Sequence, residues 1–323
     1  MRDLVNFEMR QLGQSEIFVS PVGLGCWPIA GMTSLDVNDG DSLKTVLTAI
    51  ESGINFLDTA HCYGIDGVSE RIVGQAIAER RDDLVIATKG GIHWDQEGVR
   101  HYGGRPEKII EECEESLRRL NLDVIDLYYL HAPDPDVPVS ESAGAFTELL
   151  EQGKIRCVGV SNLTVPQMQS FQAVCPITAA QPPYNMLQRD IERDVLPWCL
   201  QQGISVVTYW PLMKGLLAGK IRRGHAFDPL DKRLTYEIFQ GDAFERAQCL
   251  LDLLDSIAAE VERTVAQVVV NWTYHQSGIL SVLCGAKRGW QIRETAGSLG
   301  WCLSESQQRS IEDFLAATND STE

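Results

Sequence analysis

Eight short apolar runs, nearly all followed by a segment of helical period, constrain this chain more than any other feature of its sequence. Val22 to Trp27, Ile54 to Asp58, Leu84 to Lys89, Val124 to Leu130, Ile155 to Val160, Thr178 to Gln181, Ser205 to Tyr209 and Ile279 to Cys284 read as strands. Asp41 to Ser52 carries Leu43, Val46, Leu47 and Ile50 on one face and reads as a helix, and Ser69 opens another with Glu70 in its first turn. Further helical patterns cover Pro106 to Leu120, Ser140 to Gln152, Val165 to Val174, Ile191 to Gln202, Ala243 to Glu262, Val265 to His275, Trp290 to Gly297 and Glu305 to Ala317. Strands separated by helices pair in parallel through right-handed crossovers, which leaves an open doubly wound sheet or a closed barrel. Eight units favour the barrel, and Gly23-Leu-Gly25-Cys-Trp-Pro lacks the third glycine of the dinucleotide fingerprint that the open sheet would carry after its first strand. The fold class expected is α/β, a (β/α)8 TIM barrel with an N-terminal β-hairpin and extra C-terminal helices.

Three stretches depart from the repeat. Residues 7–20 alternate and break at Gly13-Gln14, the pattern of a hairpin ahead of the barrel. Residues 90–104 form a Gly-rich polar loop, and residues 211–242 interrupt the rhythm with a long segment rich in Gly, Lys and Arg, an insertion that points to function or mobility. Nowhere does the alternation restart after a low-complexity linker, so one domain over 1–323 is expected. The formal net charge of −17 disfavours nucleic acid and anionic membranes as partners. The first residues are already charged, no run approaches a membrane span, and nine cysteines include no C-x-x-C pair. A cytoplasmic location, reduced thiols and no metal site follow as expectations, with the oligomeric state unread.

Parallel strands of a barrel deliver their last residues to one end, and that is where side-chain chemistry gathers. Asp58, Lys89 and His131 each stand at or just beyond a strand end, and Tyr63 follows Asp58 by five residues. Singly, each has a bland reading. Asp58 serves as a cap or a buried ion-pair partner, Tyr63 as a half-buried aromatic and His131 as a satisfied core histidine. His61, His93 and His101 lack metal-ligand spacing and read as loop residues, while Trp27, Trp94, His93 and Tyr102 hint at an aromatic pocket wall built from loops 26–35 and 90–104.

The flanking residues give the set its meaning. Gly53-x-Asn55-Phe-Leu-Asp58-Thr-Ala-x-x-Tyr63-Gly64, with Ser69-Glu70 and Gly74, resembles the signature of the aldo-keto reductases. Ala87-Thr-Lys89, Leu130-His131-x-Pro133-Asp134 and Gly153-Lys154-Ile-Arg156-x-x-Gly159-Val-Ser161-Asn162 are similar to its next blocks, as are Gln181, Tyr209-x-Pro211-Leu212 and Gly215-Leu-Leu-x-Gly219-Lys220. The resemblance implies reduction of an aldehyde or ketone to an alcohol by hydride transfer, and the residue types suit it. A carbonyl accepting hydride gathers negative charge on oxygen and needs a proton donor beside it. Tyr63 is implied as that acid, Lys89 as the cation that lowers its pKa, Asp58 as the partner of Lys89, and His131 as the group that orients the carbonyl.

The same resemblance implies a nicotinamide dinucleotide across the barrel mouth. Ser161, Asn162 and Gln181 would bond its carboxamide and Tyr209 would stack on its ring, with Cys26, Trp27 and Asp58 close by. Pro211, Leu212, Gly215, Leu217 and Lys220 would lie in a loop, 211–242, folded over the pyrophosphate. Gly285, Lys287, Gln291, Glu294 and Thr295 would meet the adenosine end. Lys287, with Arg288 beside it, stands where a basic residue commonly meets the 2′-phosphate, so NADPH is expected over NADH. Thr295 replaces the usual asparagine, Trp210 a common serine, and Met213 and Lys214 also depart from the commonest residues. Two rival readings share parts of this pattern: a cofactor-binding regulatory barrel with little turnover, similar to channel β subunits, and a metal-dependent isomerase or hydrolase barrel. Intact His131 argues against the first, and a lysine placed between Asp58 and His131 argues against the second.

Overall fold

The computed structural model describes residues 7–31, 36–95, 97–229 and 231–319. A short antiparallel hairpin comes first, β1 (Arg10–Gln11) and β2 (Phe18–Val19). Then β3 (Val22–Gly25), α1 (Asp39–Glu51), β4 (Phe56–Asp58), α2 (Val68–Ile77) and β5 (Val85–Gly90) begin the alternation. A second small hairpin, β6 (Ile92–Trp94) and β7 (Arg100–Tyr102), interrupts it before α3 (Pro106–Leu120). It resumes with β8 (Ile125–Leu130), α4 (Val139–Glu151), β9 (Ile155–Ser161), α5 (Val165–Gln172), β10 (Ala179–Gln181), α6 (Val195–Gln202) and β11 (Ser205–Tyr209). The chain ends with α7 (Gly241–Glu260), α8 (Val265–Tyr274), β12 (Ile279–Gly285), α9 (Gly289–Ala296) and α10 (Glu305–Asn319).

Eight strands close into a parallel barrel in the order β3-β4-β5-β8-β9-β10-β11-β12, as the alternation predicts. Period-two alternation sorts their side chains. In β8, Leu127 and Tyr129 fill the barrel interior while Tyr128 and Leu130 pack outward under the helices. In β5, Val85 and Ala87 point inward and Ile86 outward, so Lys89 shares the inner face one step beyond Ala87. Phe56 is likewise inward in β4, which puts Asp58 on the same face. Leu12 and Val19 of the first hairpin pack on that interior cluster from the opposite end, where Arg10 donates to the carbonyls of Tyr274, Ile279 and Leu280. The hairpin therefore plugs the bottom and leaves the C-terminal end open.

The helices start where local chemistry lets them. Thr164 and Thr264 each form a capping box with a glutamine three residues on, and Pro106 occupies the first turn of α3, where its missing N–H costs nothing. Gly74 is required by close approach: a Cβ there would stand 2.8 Å from the carbonyl oxygen of Leu120 at the end of α3.

Two sequence expectations need correction. Residues 90–104 are no plain loop but contain the β6/β7 hairpin, turned by Asp95, whose carboxylate accepts from the N–H groups of Glu97 and Val99. Ile191 to Gln202 is not one helix. Pro197 would clash with Arg193 in a continuous helix, so a 3₁₀ turn (Asp190–Glu192) is followed by α6, capped afresh by Asp194. The segment 211–242, expected as a loop over the cofactor, contains three 3₁₀ turns, and its Leu216, Leu217, Ile221 and Phe239 are buried. Of the expected pocket-wall loop 26–35, residues 32–35 lie outside the described residues, as do 1–6 and 320–323 of the expected domain.

Candidate active site

The inward period of β4 and β5 brings Asp58 and Lys89 face to face at the open end of the barrel. The Lys89 ammonium donates to Asp58 Oδ1 at 2.5 Å and to the Thr59 carbonyl at 2.7 Å, and both side chains are buried. Gln181, from the end of β10, donates Nε2 to the other carboxylate oxygen at 2.8 Å. Burial raises the Asp58 carboxyl above its ordinary range, and Lys89 and Gln181 oppose that rise. An ammonium has three protons, and two of those on Lys89 are engaged here.

Tyr63 reaches this pair because the chain beyond β4 keeps bonding to β5. The N–H of Thr59 meets the Ala87 carbonyl and that of His61 the Lys89 carbonyl before a turn from Ala60 presents the phenol ring. The remaining signature residues brace that turn from behind. Ser69 accepts from Thr59 and donates to the Cys26 carbonyl, while buried Glu70 holds Thr88 and Arg119. Arg119 in turn donates to the His61 carbonyl, and His61, itself buried, pairs with Glu115 at 2.7 Å. These residues build the site's frame; their place in the motif is structural.

The ring of Tyr63 lies 5.1 Å from Lys89 Nζ, edge-on to Trp27 at 5.0 Å and to His131 at 5.7 Å. On balance the phenol pKa rises in this arrangement. Burial, followed by the negative charge of Asp58, pushes it well above its ordinary value. The phenol is thereby kept protonated. His131, just past β8, is held well below the ordinary imidazole range by burial and by the charges of Lys89 and Arg100, and so is neutral at pH 7.

A hydrogen-bonded shelf runs along the next three strand ends. Tyr209 donates its hydroxyl to Asn162 Oδ1 at 2.7 Å, Asn162 Nδ2 donates to Ser161 Oγ at 3.0 Å, and Ser161 donates to the Gln181 carbonyl at 2.8 Å. Asn162 takes a left-handed backbone conformation (φ 61°), rare for a residue with a side chain, and this turns the chain sharply at the end of β9. Beyond Tyr209, Pro211 and Leu212 lead into the 3₁₀ segment containing Gly215. Lys220 then crosses to α9, pairing with Glu294 at 2.9 Å and standing 4.4 Å from the centre of the Trp290 ring.

Other expected cofactor residues are placed less openly. Cys26 is buried with its thiol directed to the Leu24 carbonyl, and Leu217 is buried beneath the loop. Thr295 is buried with its hydroxyl bonded back to Gln291 and Ile292, so these three offer a ligand little side-chain surface. Gln291 accepts from the backbone N–H groups of Lys287 and Arg288, fixing the turn from Gly285 into α9. Arg288 also donates to the Asp36 carbonyl at 2.5 Å.

Of the aromatic residues expected at the pocket, Trp27 and Trp94 border the tetrad of Asp58, Tyr63, Lys89 and His131. Trp94 Nε1 donates to the Cys62 carbonyl at 2.8 Å. His93 and Tyr102 do not: His93 faces Glu112 at 3.3 Å and stacks on His101, and Tyr102 is exposed. Sequence reading missed Cys62, whose Sγ lies 3.5 Å from His131 Nδ1. It also missed the stacking of Lys214 on Trp210 and Tyr236, with the ammonium 3.4 and 4.2 Å from the ring centres. The Cys62–His131 and Lys214–Tyr236 contacts join segments apart in sequence, which local composition does not mark. Among the described residues, no cluster of three His, Cys, Asp or Glu side chains is arranged to hold a metal.

Residues 21–316 match the model of the Aldo/keto reductase family. The chain is 37% identical over 314 residues to Aldo-keto reductase YhdN of Bacillus subtilis, covering 96% of this chain and 94% of that one. It is 33% identical to the NADH-specific methylglyoxal reductase of Escherichia coli, over 95% and 98% of the two chains. Among solved structures, the glycerol dehydrogenase AKR11B4 of Gluconobacter oxydans superposes with a TM-score of 0.90 at 35% identity, over 96% of this chain and 95% of that one. A barrel with this tetrad at its open end, matched along nearly its whole length, belongs to the aldo/keto reductase family, oxidoreductases that reduce carbonyl groups with nicotinamide cofactors.

Proposed function

We propose that this chain reduces an aldehyde or ketone to the alcohol with NADPH, Tyr63 supplying the proton. The observation that carries the reading is the convergence of Tyr63, His131 and the Lys89–Asp58 pair on one open barrel end. The nicotinamide cofactor, when bound, supplies the hydride. Tyr63 holds its proton until charge develops on the carbonyl oxygen, because its raised pKa disfavours early loss. Lys89, held by Asp58, supplies fixed positive charge beside the forming oxyanion and the phenolate left after transfer. Neutral His131 donates a hydrogen bond that sets the direction of the carbonyl.

The shelf of Ser161, Asn162, Gln181 and Tyr209 fits a carboxamide-bearing ring. The exposed Asn162 amide lies in one row with the half-buried aromatic face of Tyr209, and the buried Ser161 hydroxyl and Gln181 carbonyl brace that row. Lys220, Lys287 and Arg288 add positive charge along the path toward α9, which suits a pyrophosphate and a 2′-phosphate. The reading is tested with para-nitrobenzaldehyde and NADPH in metal-free buffer, following loss of NADPH absorbance. Tyr63→Phe should lower kcat by roughly 10²–10⁴-fold, the range for a general acid, while cofactor still quenches tryptophan fluorescence. Turnover retained by that variant removes Tyr63 from the acid role, and no nucleotide binding by the wild type removes the whole reading.

A further inference from the structure

The tetrad leaves one question open in its own geometry. A neutral imidazole carries its proton on one nitrogen only, and His131 can donate to a carbonyl oxygen only if that proton sits on the nitrogen facing the substrate. Nδ1 of His131 has the Cys62 sulfur at 3.5 Å, and the ring has no other hydrogen-bond partner among the described residues. Nε2 is therefore the nitrogen left for substrate.

We propose that Cys62 is a positioning residue for His131: its thiol donates to Nδ1 and so holds the imidazole proton on Nε2. The inference rests on the role given to His131 above.

Both partners are fixed from behind. Trp94 Nε1 donates to the Cys62 carbonyl at 2.8 Å, and the Tyr63 N–H bonds back to Ala60 in the same turn. The His131 N–H donates to Gly90, and its carbonyl accepts from Asn162 at 3.0 Å. Cys62 is 3% exposed, so bulk water does not replace it as donor. The opposite arrangement, with Nδ1–H donating to sulfur, turns a lone pair on Nε2 toward the carbonyl oxygen and repels it. Ionisation does not complicate the choice, since burial pushes the Cys62 thiol up to about 12 and holds the imidazole neutral. Two neutral groups then share a single hydrogen bond, and the substrate's need for a donor at Nε2 assigns its direction.

The test is NMR on the full chain with isotope-labelled histidine nitrogens, the His131 signals being assigned by their loss in His131→Asn. It is paired with kcat and KM for para-nitrobenzaldehyde. The wild type should show His131 protonated on Nε2. Cys62→Ala, and Cys62→Val, which fills the space without a donor, should raise the Nδ1-protonated form and lower kcat, each by up to about tenfold, the range for one modest hydrogen bond. Cys62→Ser, which keeps a donor, should restore both. A wild-type proton on Nδ1, or a ratio unmoved in both Cys62→Ala and Cys62→Val, overturns the assignment of Cys62 even if His131→Asn is inactive. A shifted ratio with unchanged kcat overturns the positioning role together with the part given to His131.

Discussion

Lys89 and Asp58 meet at 2.5 Å inside the barrel, with side chains only 1% and 2% exposed, although 31 residues separate them in sequence. Adjacent strands and a shared inner face produce the meeting. Burying two charges is costly, and the cost is recovered only while both remain. Lys89→Met should therefore destabilise the fold by about 3–5 kcal/mol in urea unfolding, because it strands the Asp58 carboxylate. Asp58→Asn combined with Lys89→Met should be less destabilised than Lys89→Met alone. Strict additivity of the two single changes would show that the charges do not support one another.

Glu112 projects from α3 against the turn after Lys89, where one oxygen accepts from the Gly91 N–H at 2.6 Å and the other faces His93 at 3.3 Å. Burial raises its carboxyl from the usual 4.5 to about 8, against the pull of the Gly91 N–H and Lys108. A pKa raised on folding means that the native state holds the proton more tightly. The resulting stabilisation is fully present below the unfolded pKa and is lost as pH rises through about 8. The stability of Glu112→Gln minus that of wild type should accordingly climb with pH between about 5 and 8, by at most about 1.4 kcal/mol per pH unit. Urea midpoints of both proteins across that range read the difference directly. A flat difference means that Glu112 is ionised in the native state at all these pH values.

The barrel and the placement of Asp58, Lys89 and His131 were legible because they arise from local periods, whereas Tyr63 was found through the motif around it. Inward positions in β4 and β5 follow from counting by two, and the strand-end rule then collects Asp58, Lys89 and His131. What escaped the sequence depends on contacts between segments or on pieces too short to show a period. Each strand of the β6/β7 hairpin has three residues, and β7 is wholly exposed, so no alternation of apolar and polar residues announces it. The break before α6 was written in Pro197, but the apolar pattern on either side hid it. The raised pKa of Tyr63 could not be foreseen from a neighbouring lysine, because burial and Asp58 outweigh that lysine only once the barrel closes around the phenol.

Lys287 tests the choice of coenzyme. It lies at the turn into α9 with its backbone N–H held by Gln291, so a change of side chain should leave the turn in place. Lys287→Ala should weaken NADPH by about tenfold, the scale of one charge-assisted hydrogen bond, and leave NADH nearly unchanged. Fluorescence titration with each coenzyme makes the comparison. Equal weakening of both would assign Lys287 to a group that the two coenzymes share.

Lys220 and Glu294 join the long segment after β11 to α9 across the path proposed for the cofactor, with Lys220 stacked on Trp290. If that bridge closes over bound cofactor, its strength enters the rate of release rather than the rate of binding. Lys220 is 54% exposed and Glu294 19%, so the pair is a partly screened surface bridge worth about 0–1 kcal/mol. Glu294→Gln should therefore speed NADP⁺ release by no more than a few-fold, measured by stopped-flow recovery of tryptophan fluorescence. Added salt should speed release from the wild type and have a smaller effect on the variant, because the charge it screens is already gone. An equal response to salt in both proteins would locate the electrostatic hold on the cofactor elsewhere, at Lys287 or Arg288.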